Sequence, residues 1–106
     1  MRVTREEVEQ AFATGEADAL TRVLISMAFH EPDADWAQER CLVALEHPSA
    51  VVRGLAATCL GHLARIHRRL DLARVRPRLE AMRSDPLAGK RADDALIDIE
   101  RYLAPE

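Results

Sequence analysis

An internal echo constrains this chain more than any other feature. Ala56-x-x-Cys59-Leu60-x-x-Leu63 is matched by Ala92-x-x-Ala95-Leu96-x-x-Ile99, offset by 36 residues. Both runs carry apolar residues at helical spacing. Each follows a helix-length segment that ends in a polar break with proline, EHPS before the first and SDPL before the second. A period in the high thirties, one helix pair per unit, is the signature of an α-solenoid, whose units bury their apolar faces on one another. At 106 residues the chain has room for one domain with a small core.

Six helical segments fit the sequence, and no strand-like alternation stands out. The first starts at Thr4, with Glu7 completing a capping-box pattern, and Gly15 ends it. The second runs from about Asp18 to Phe29 with Leu20, Val23, Leu24, Met27 and Ala28 as its apolar stripe, until EPDAD breaks it. The third covers about Asp35 to Glu46. Ser49 or Pro48 opens the fourth, which reaches about Arg68. The fifth spans Asp71 to Arg83 and holds Pro77, which predicts a kink or a late start. Asp85 and Pro86 are expected to open the sixth, which continues to about Leu103. Short linkers force consecutive helices into antiparallel pairs.

The fourth segment, HPSAVVRGLAATCLGHLARIH, keeps two glycines, each costing about 1 kcal/mol relative to alanine. On a helical wheel Val52, Leu55, Ala56, Cys59, Leu60, Leu63 and Ile66 form the core arc. Burying it contributes on the order of 10 kcal/mol as an upper figure, so the helix survives. Gly54, Ala57, Gly61 and Ala64 occupy the opposite arc. Two readings are open: a neighbouring helix packs closely there, or the smooth face belongs to a partner surface.

HPSAVVRGLAATCLGHLA and SDPLAGKRADDALIDI resemble HEAT-type repeats, with proline at the break and Arg53 or Arg91 in the first turn. Lys90, before Arg91, stands where the pattern has valine. The resemblance implies an all-α fold, a short right-handed α-solenoid of about six antiparallel helices. It spans 1–106 as one domain, with clear units at about 37–67 and 71–103 and a divergent pair in 1–35. RGLAATCLGHLARIH followed by LDLARVRPRLEAM is similar, more narrowly, to small stand-alone bacterial HEAT-like proteins, several of which are immunity proteins of contact-dependent inhibition systems. That resemblance implies a non-catalytic, cytoplasmic module that binds a secreted toxin domain, with a cationic nuclease as the expected partner, as a monomer or 1:1 complex.

The residues themselves carry little catalytic signal. His30, His47, His62 and His67 have no metal-ligand spacing, and neither a nucleophile motif nor a phosphate loop is present. No cofactor or metal is expected, and nothing reads as a signal peptide or membrane span. Cys41 and Cys59 fall in apolar stripes and read as buried thiols, a disulfide between them being left open. Charge is more informative. The net −3 divides into an acidic 1–39 with three Arg against nine acids, a basic 40–83 with nine Arg against three acids, and an acidic remainder. Glu31, Asp33, Asp35 and Glu39 surround Trp36, as an aromatic anchor with an acidic rim would, although plain core packing also accounts for Trp36. Asp94 and Asp98 lie near Tyr102 as a second acidic set. A cationic protein partner would be steered by these fields. Arg65, Arg68, Arg69, Arg74, Arg76 and Arg78 form a basic cluster. It offers a nucleic-acid alternative, or plain pairing with a helix C-terminus. The acidic total and the lack of aromatics among these arginines weigh against nucleic acid. A scaffold or adaptor subunit is the third reading.

Overall fold

A computed structural model of the chain describes residues 3–103; residues 1, 2 and 104–106 of the expected 1–106 span lie outside it. The architecture is all-α: α1 (Arg5–Thr14), α2 (Ala17–His30), α3 (Ala34–Ala44), α4 (Ala50–His67), α5 (Leu72–Met82) and α6 (Gly89–Leu103). Among the described residues no helix is long and apolar enough to cross a membrane.

Local chemistry sets the helix ends. Thr4 and Glu7 form the expected capping box, at 3.1 and 3.0 Å, and Gly15 closes α1 in the left-handed conformation, φ 68°. Asp33 and Ser49 accept hydrogen bonds from the first turns of α3 and α4. Two expectations need correction. Pro77 does not delay α5, which begins at Leu72 and runs through it. Ala73 and Pro77 are both exposed, so the carbonyl left without a proline N–H partner faces water. The sixth helix starts later than expected, at Gly89, because Asp85 Oδ1 accepts from Leu87 and Ala88 N–H and caps a preceding turn.

The helices stand in two rows. α4 packs directly against α2 on one side and α6 on the other, while α1, α3 and α5 pack on α2, α4 and α6 respectively. The α4–α6 contact answers the glycine question. A Cβ on Gly54 would lie 3.2 Å from Arg91 Cγ and 3.7 Å from Ala88 Cβ. One on Gly61 would lie 3.0 Å from Asp98 Oδ2 and 3.4 Å from Ala95 Cα. Gly54 faces 88–91 and Gly61 faces 95–98, so α4 and α6 run the same way in the register of the sequence echo. Gly54, Ala57, Gly61 and Ala64 are all buried. The core arc on α4 is therefore rotated from the expected one: Leu55 is only half-buried and Ile66 is 40% exposed. Cys41 and Cys59 are free, fully buried and adjacent; the Cys59 thiol and burial push the Cys41 thiol well above its ordinary value.

Polar side chains string the inter-helix turns together at one edge. His47 Nδ1 accepts from Ser49 N–H at 2.9 Å, which leaves Nε2–H to donate to the Gly15 carbonyl at 2.7 Å. Arg53 donates to the carbonyls of His47 and Pro48 and to Asp85 Oδ2, at 2.8 to 3.1 Å. The turns after α1, α3 and α5 are thus held as a series.

The α4–α6 spacing makes a graded prediction. Gly61→Ala should stay within about 1 kcal/mol of the parent chain, since its gain in helix propensity offsets a small displacement of the Asp98 carboxylate. Gly61→Leu should lose about 2–3 kcal/mol, because its branch must push the α6 backbone at Ala95. Urea unfolding measures both; an unaffected Gly61→Leu chain would mean that α6 does not lean on this face.

Candidate functional site

The acidic and basic sets that are separate in sequence meet in space. Arg69 makes a two-pronged bond to Asp35 at 2.8 and 2.9 Å, and Arg74 does the same to Glu39 at 2.8 Å on both prongs. Arg78 reaches Glu46 at 2.6 Å and the Leu42 carbonyl at 3.2 Å. Arg5 holds Glu31 at 2.9 Å and Asp33 at 3.2 Å, and its guanidinium lies 4.8 Å from the half-buried Trp36 ring. Forked guanidinium–carboxylate pairs of this kind are the strongest ion-pair geometry available to side chains. A cleft of about 690 Å³ lies between α3 and the start of α5, lined by Asp33, Asp35, Trp36, Glu39, Arg69 and Arg74. With Asp71 its lining has four carboxylates against two arginines, so the cleft stays acidic although Asp35 and Glu39 are paired. The acids expected around Trp36 do gather there, each beside an arginine, while Trp36 itself packs against the core under Arg5, as the core-packing reading has it.

The same pairing dissolves the continuous basic cluster. Arg69, Arg74 and Arg78 are committed to carboxylates, while Arg65 and Arg68 lie elsewhere on α4 and its cap, and Arg76 borders a separate cleft between α5 and α6. The second acidic set also divides. Asp94 lies 3.8 Å from Lys90, whereas Asp98 turns toward α4 at Gly61. Tyr102 is half-buried, with the Arg68 guanidinium 5.0 Å from its ring.

A different surface is formed by the outer side of α2, α4 and α6. The Phe29 and His62 rings stand 4.7 Å apart, and Arg65 Nη2 donates to His62 Nδ1 at 2.9 Å while lying 6.0 Å from the Phe29 centroid. Arg91 donates to Thr58 at 3.1 Å. Beside it, Val51, Leu55, Leu87 and Arg91 line a groove of about 330 Å³. Arg68 is the one described non-glycine residue with positive φ, 53°, and closes α4 through its N–H to the Ala64 carbonyl. Sequence reasoning passed over Phe29 and Arg5, weighed His62 only as a metal ligand, and missed Gln38. Gln38 is buried, and its Oε1 accepts the Asp71 N–H at 2.6 Å, fixing the start of α5. A usable signal for the seam was present: Asp35–Arg69, Glu39–Arg74 and Glu46–Arg78 are separated by 34, 35 and 32 residues, close to the period of the echo.

The carboxylates respond to this pairing. Arg69 holds Asp35 below its ordinary value, Arg74 does so for Glu39, and Arg5 for Glu31. Asp33 is lowered chiefly by the Trp36 N–H, and Asp85 by the Leu87 and Ala88 N–H groups before Arg53. Burial, then Arg65, lowers His62 against the opposing pull of Asp98. A group with a lowered folded value binds fewer protons folded than unfolded, so its contribution to stability is lost as pH falls. The thermal midpoint should therefore decline gently below pH 6.5 as unfolded His62 protonates, then steeply below the ordinary carboxylate values of 4.5 and 3.8. Glu39→Gln should flatten part of the steep limb and His62→Gln the gentle one. A midpoint unchanged from pH 7 to pH 3 would contradict the pairing.

Comparison with known proteins fits a chain whose surface, rather than an enclosed cavity, is its developed feature. The chain is similar to one in the crystal structure of a CDI complex from Cupriavidus taiwanensis LMG 19424, with 31% identity and a TM-score of 0.85, over 96% of this chain and 92% of that one. No protein-family model and no curated protein matches it. Identity at that level along nearly the full length of both chains, with the same fold, places this chain in the same family as that chain of the CDI complex.

Proposed function

We propose that this protein is a bacterial immunity protein: a non-catalytic, cytoplasmic module that binds a cognate secreted toxin one to one and blocks it, the toxin being a nuclease. The observation that carries this reading is the full-length similarity to a chain of a CDI complex. Two features of the fold support it. The helices form a double row in which long-range contacts recur at separations of 32 to 36 residues, as in Arg69–Asp35, Arg53–Asp85 and Arg78–Leu42. We read these as HEAT-like pairs with units at about 37–67 and 71–103, an architecture that supplies broad faces for another protein. The chain also carries a net charge of −3, which steers a cationic nuclease domain toward it at long range. The acids beside Trp36 are paired but outnumber their arginines, so that steering draws both on the whole molecule and on the acidic excess of this cleft.

The test is association with the protein encoded by the adjacent gene. The two should form a 1:1 complex with a dissociation constant on the order of nanomolar or tighter, and co-expression should restore growth to cells that make the toxin alone. A folded chain that neither binds nor protects would overturn the reading. Salt-sensitive binding to a generic duplex would favour the nucleic-acid alternative instead.

A further inference from the structure

We propose that the partner seats on the outer face of α2, α4 and α6, presenting carboxylate side chains to Arg65 and Arg68 with apolar residues packed between them on Phe29 and Ile66. This rests on the protein-binding reading above and names the surface and chemistry it would use.

Arginines of the seam and of the outer face differ in what they touch. In the α3–α5 seam, Arg69, Arg74 and Arg78 each meet a carboxylate at 2.6 to 2.8 Å. On the other face Arg65, Arg68 and Arg91 have no carboxylate within ion-pair range among the described residues; their partners are the His62 and Phe29 rings, the Tyr102 ring and the Thr58 hydroxyl. Aromatic faces and a neutral acceptor orient a guanidinium without cancelling its charge. Each of these side chains is thus pre-positioned and retains unused N–H donors in the fork that matches a carboxylate, which lowers the ordering cost of binding one.

The exposed apolar residues favour the outer face. Of the six large hydrophobic residues that are exposed, four lie on this face: Phe29 at 44%, Ile66 at 40%, Val51 at 69% and Leu87 at 78%. Aromatic and aliphatic anchors beside unpaired arginines are the composition of an interface core. A run of phosphates fits less well. This face offers only Arg65, Arg68 and Arg91 as arginines free of a carboxylate, the Asp98 carboxylate lies within it, and the exposed surface between the cations is apolar.

The test uses the full chain and the purified product of the adjacent gene. Arg65→Glu and Arg68→Glu together should weaken association at least 100-fold, and Phe29→Ala about 10-fold, while Asp35→Ala and Glu39→Ala in the seam should change it less than 3-fold. Circular dichroism and thermal midpoints establish that each variant is folded. Arg65→Lys and Arg68→Lys, which keep the charge and lose the fork, should fall between the parent chain and the charge reversals. Binding that survives the double reversal but is lost on altering Asp35 and Glu39 would overturn this surface assignment alone. Duplex binding by the parent chain that the double reversal abolishes would overturn the commitment to a protein. Failure of the unaltered chain to associate would overturn the proposed function and this inference with it.

Discussion

The distance at which α6 can approach α4 governs the rest of the fold. Gly54 and Gly61 lie seven residues apart on one side of α4, with Ala57 and Ala64 completing a stripe that has no side chain larger than a methyl group. Across that stripe Ala88 and Ala95 come within van der Waals reach of where each Cβ would be. Two helices that meet through such surfaces bring their backbones closer than leucine or isoleucine would permit, and every small contact atom is then packed on both sides. The core arc of α4 turns accordingly. Its large residues Val52, Leu60 and Leu63 are fully buried, while Leu55 packs half-buried at the edge of the core and Ile66 is exposed.

The second row follows the opposite rule. α3 does not pack closely on α5, and the gap is crossed by Arg69, Arg74 and Arg78 reaching Asp35 and Glu39 on α3 and Glu46 in the turn after it. A long arginine forked onto a carboxylate fixes register at a separation that direct packing could not fill. The pairs are solvent-exposed, so each adds little to stability. Their main effect is on alignment and on charge, since each sets a carboxylate of α3 or the turn after it against an arginine of α5 or the linker before it. Tight spacing in one row and wide spacing in the other bends such an array toward the tight row. The turn chain from Gly15 through His47 and Arg53 to Asp85 keeps successive pairs in step along one edge.

What could be read from sequence was what depends on neighbours in the chain or on a repeat. The capping box at Thr4, the left-handed Gly15 and the six helices are local, and the echo between Ala56–Leu63 and Ala92–Ile99 matches the register in which α4 and α6 pack. Segment charge does not give surface patches, for a physical reason. Summing charge along segments treats each stretch as a patch, but an arginine is neutralised by whatever lies within about 4 Å of it. Here the relevant acids are more than thirty residues away. Trp36 packs on the core, one of the two readings the sequence leaves open, and Arg5, which covers it, comes from another helix. The wheel for α4 erred at Leu55 and Ile66 because hydrophobicity alone does not show that glycine and alanine claim the close contact. Pro77 sits inside α5 rather than at its start, and Ala73, whose carbonyl loses its proline partner, is exposed.

The two rows together divide the work between holding a fold and meeting another molecule. Along the seam Asp35, Glu39 and Glu46 are paired with Arg69, Arg74 and Arg78, and a competing partner would have to break these pairs and leave their mates unmatched. On α2, α4 and α6 the small residues bury the backbone contact so completely that the outward side chains are not needed for it. Phe29, His62, Arg65 and Arg68 contribute little to the core, yet rings and a capped helix end hold them in place. A residue released from structural duty can change without unfolding the chain, so specificity for a partner can diverge there while the glycine stripe and the arginine seam keep the scaffold constant. On that argument, variation between chains of this family that recognise different partners belongs on the outer face of the tight row, and constancy belongs at 54, 61 and the pairs that join α3 to α5.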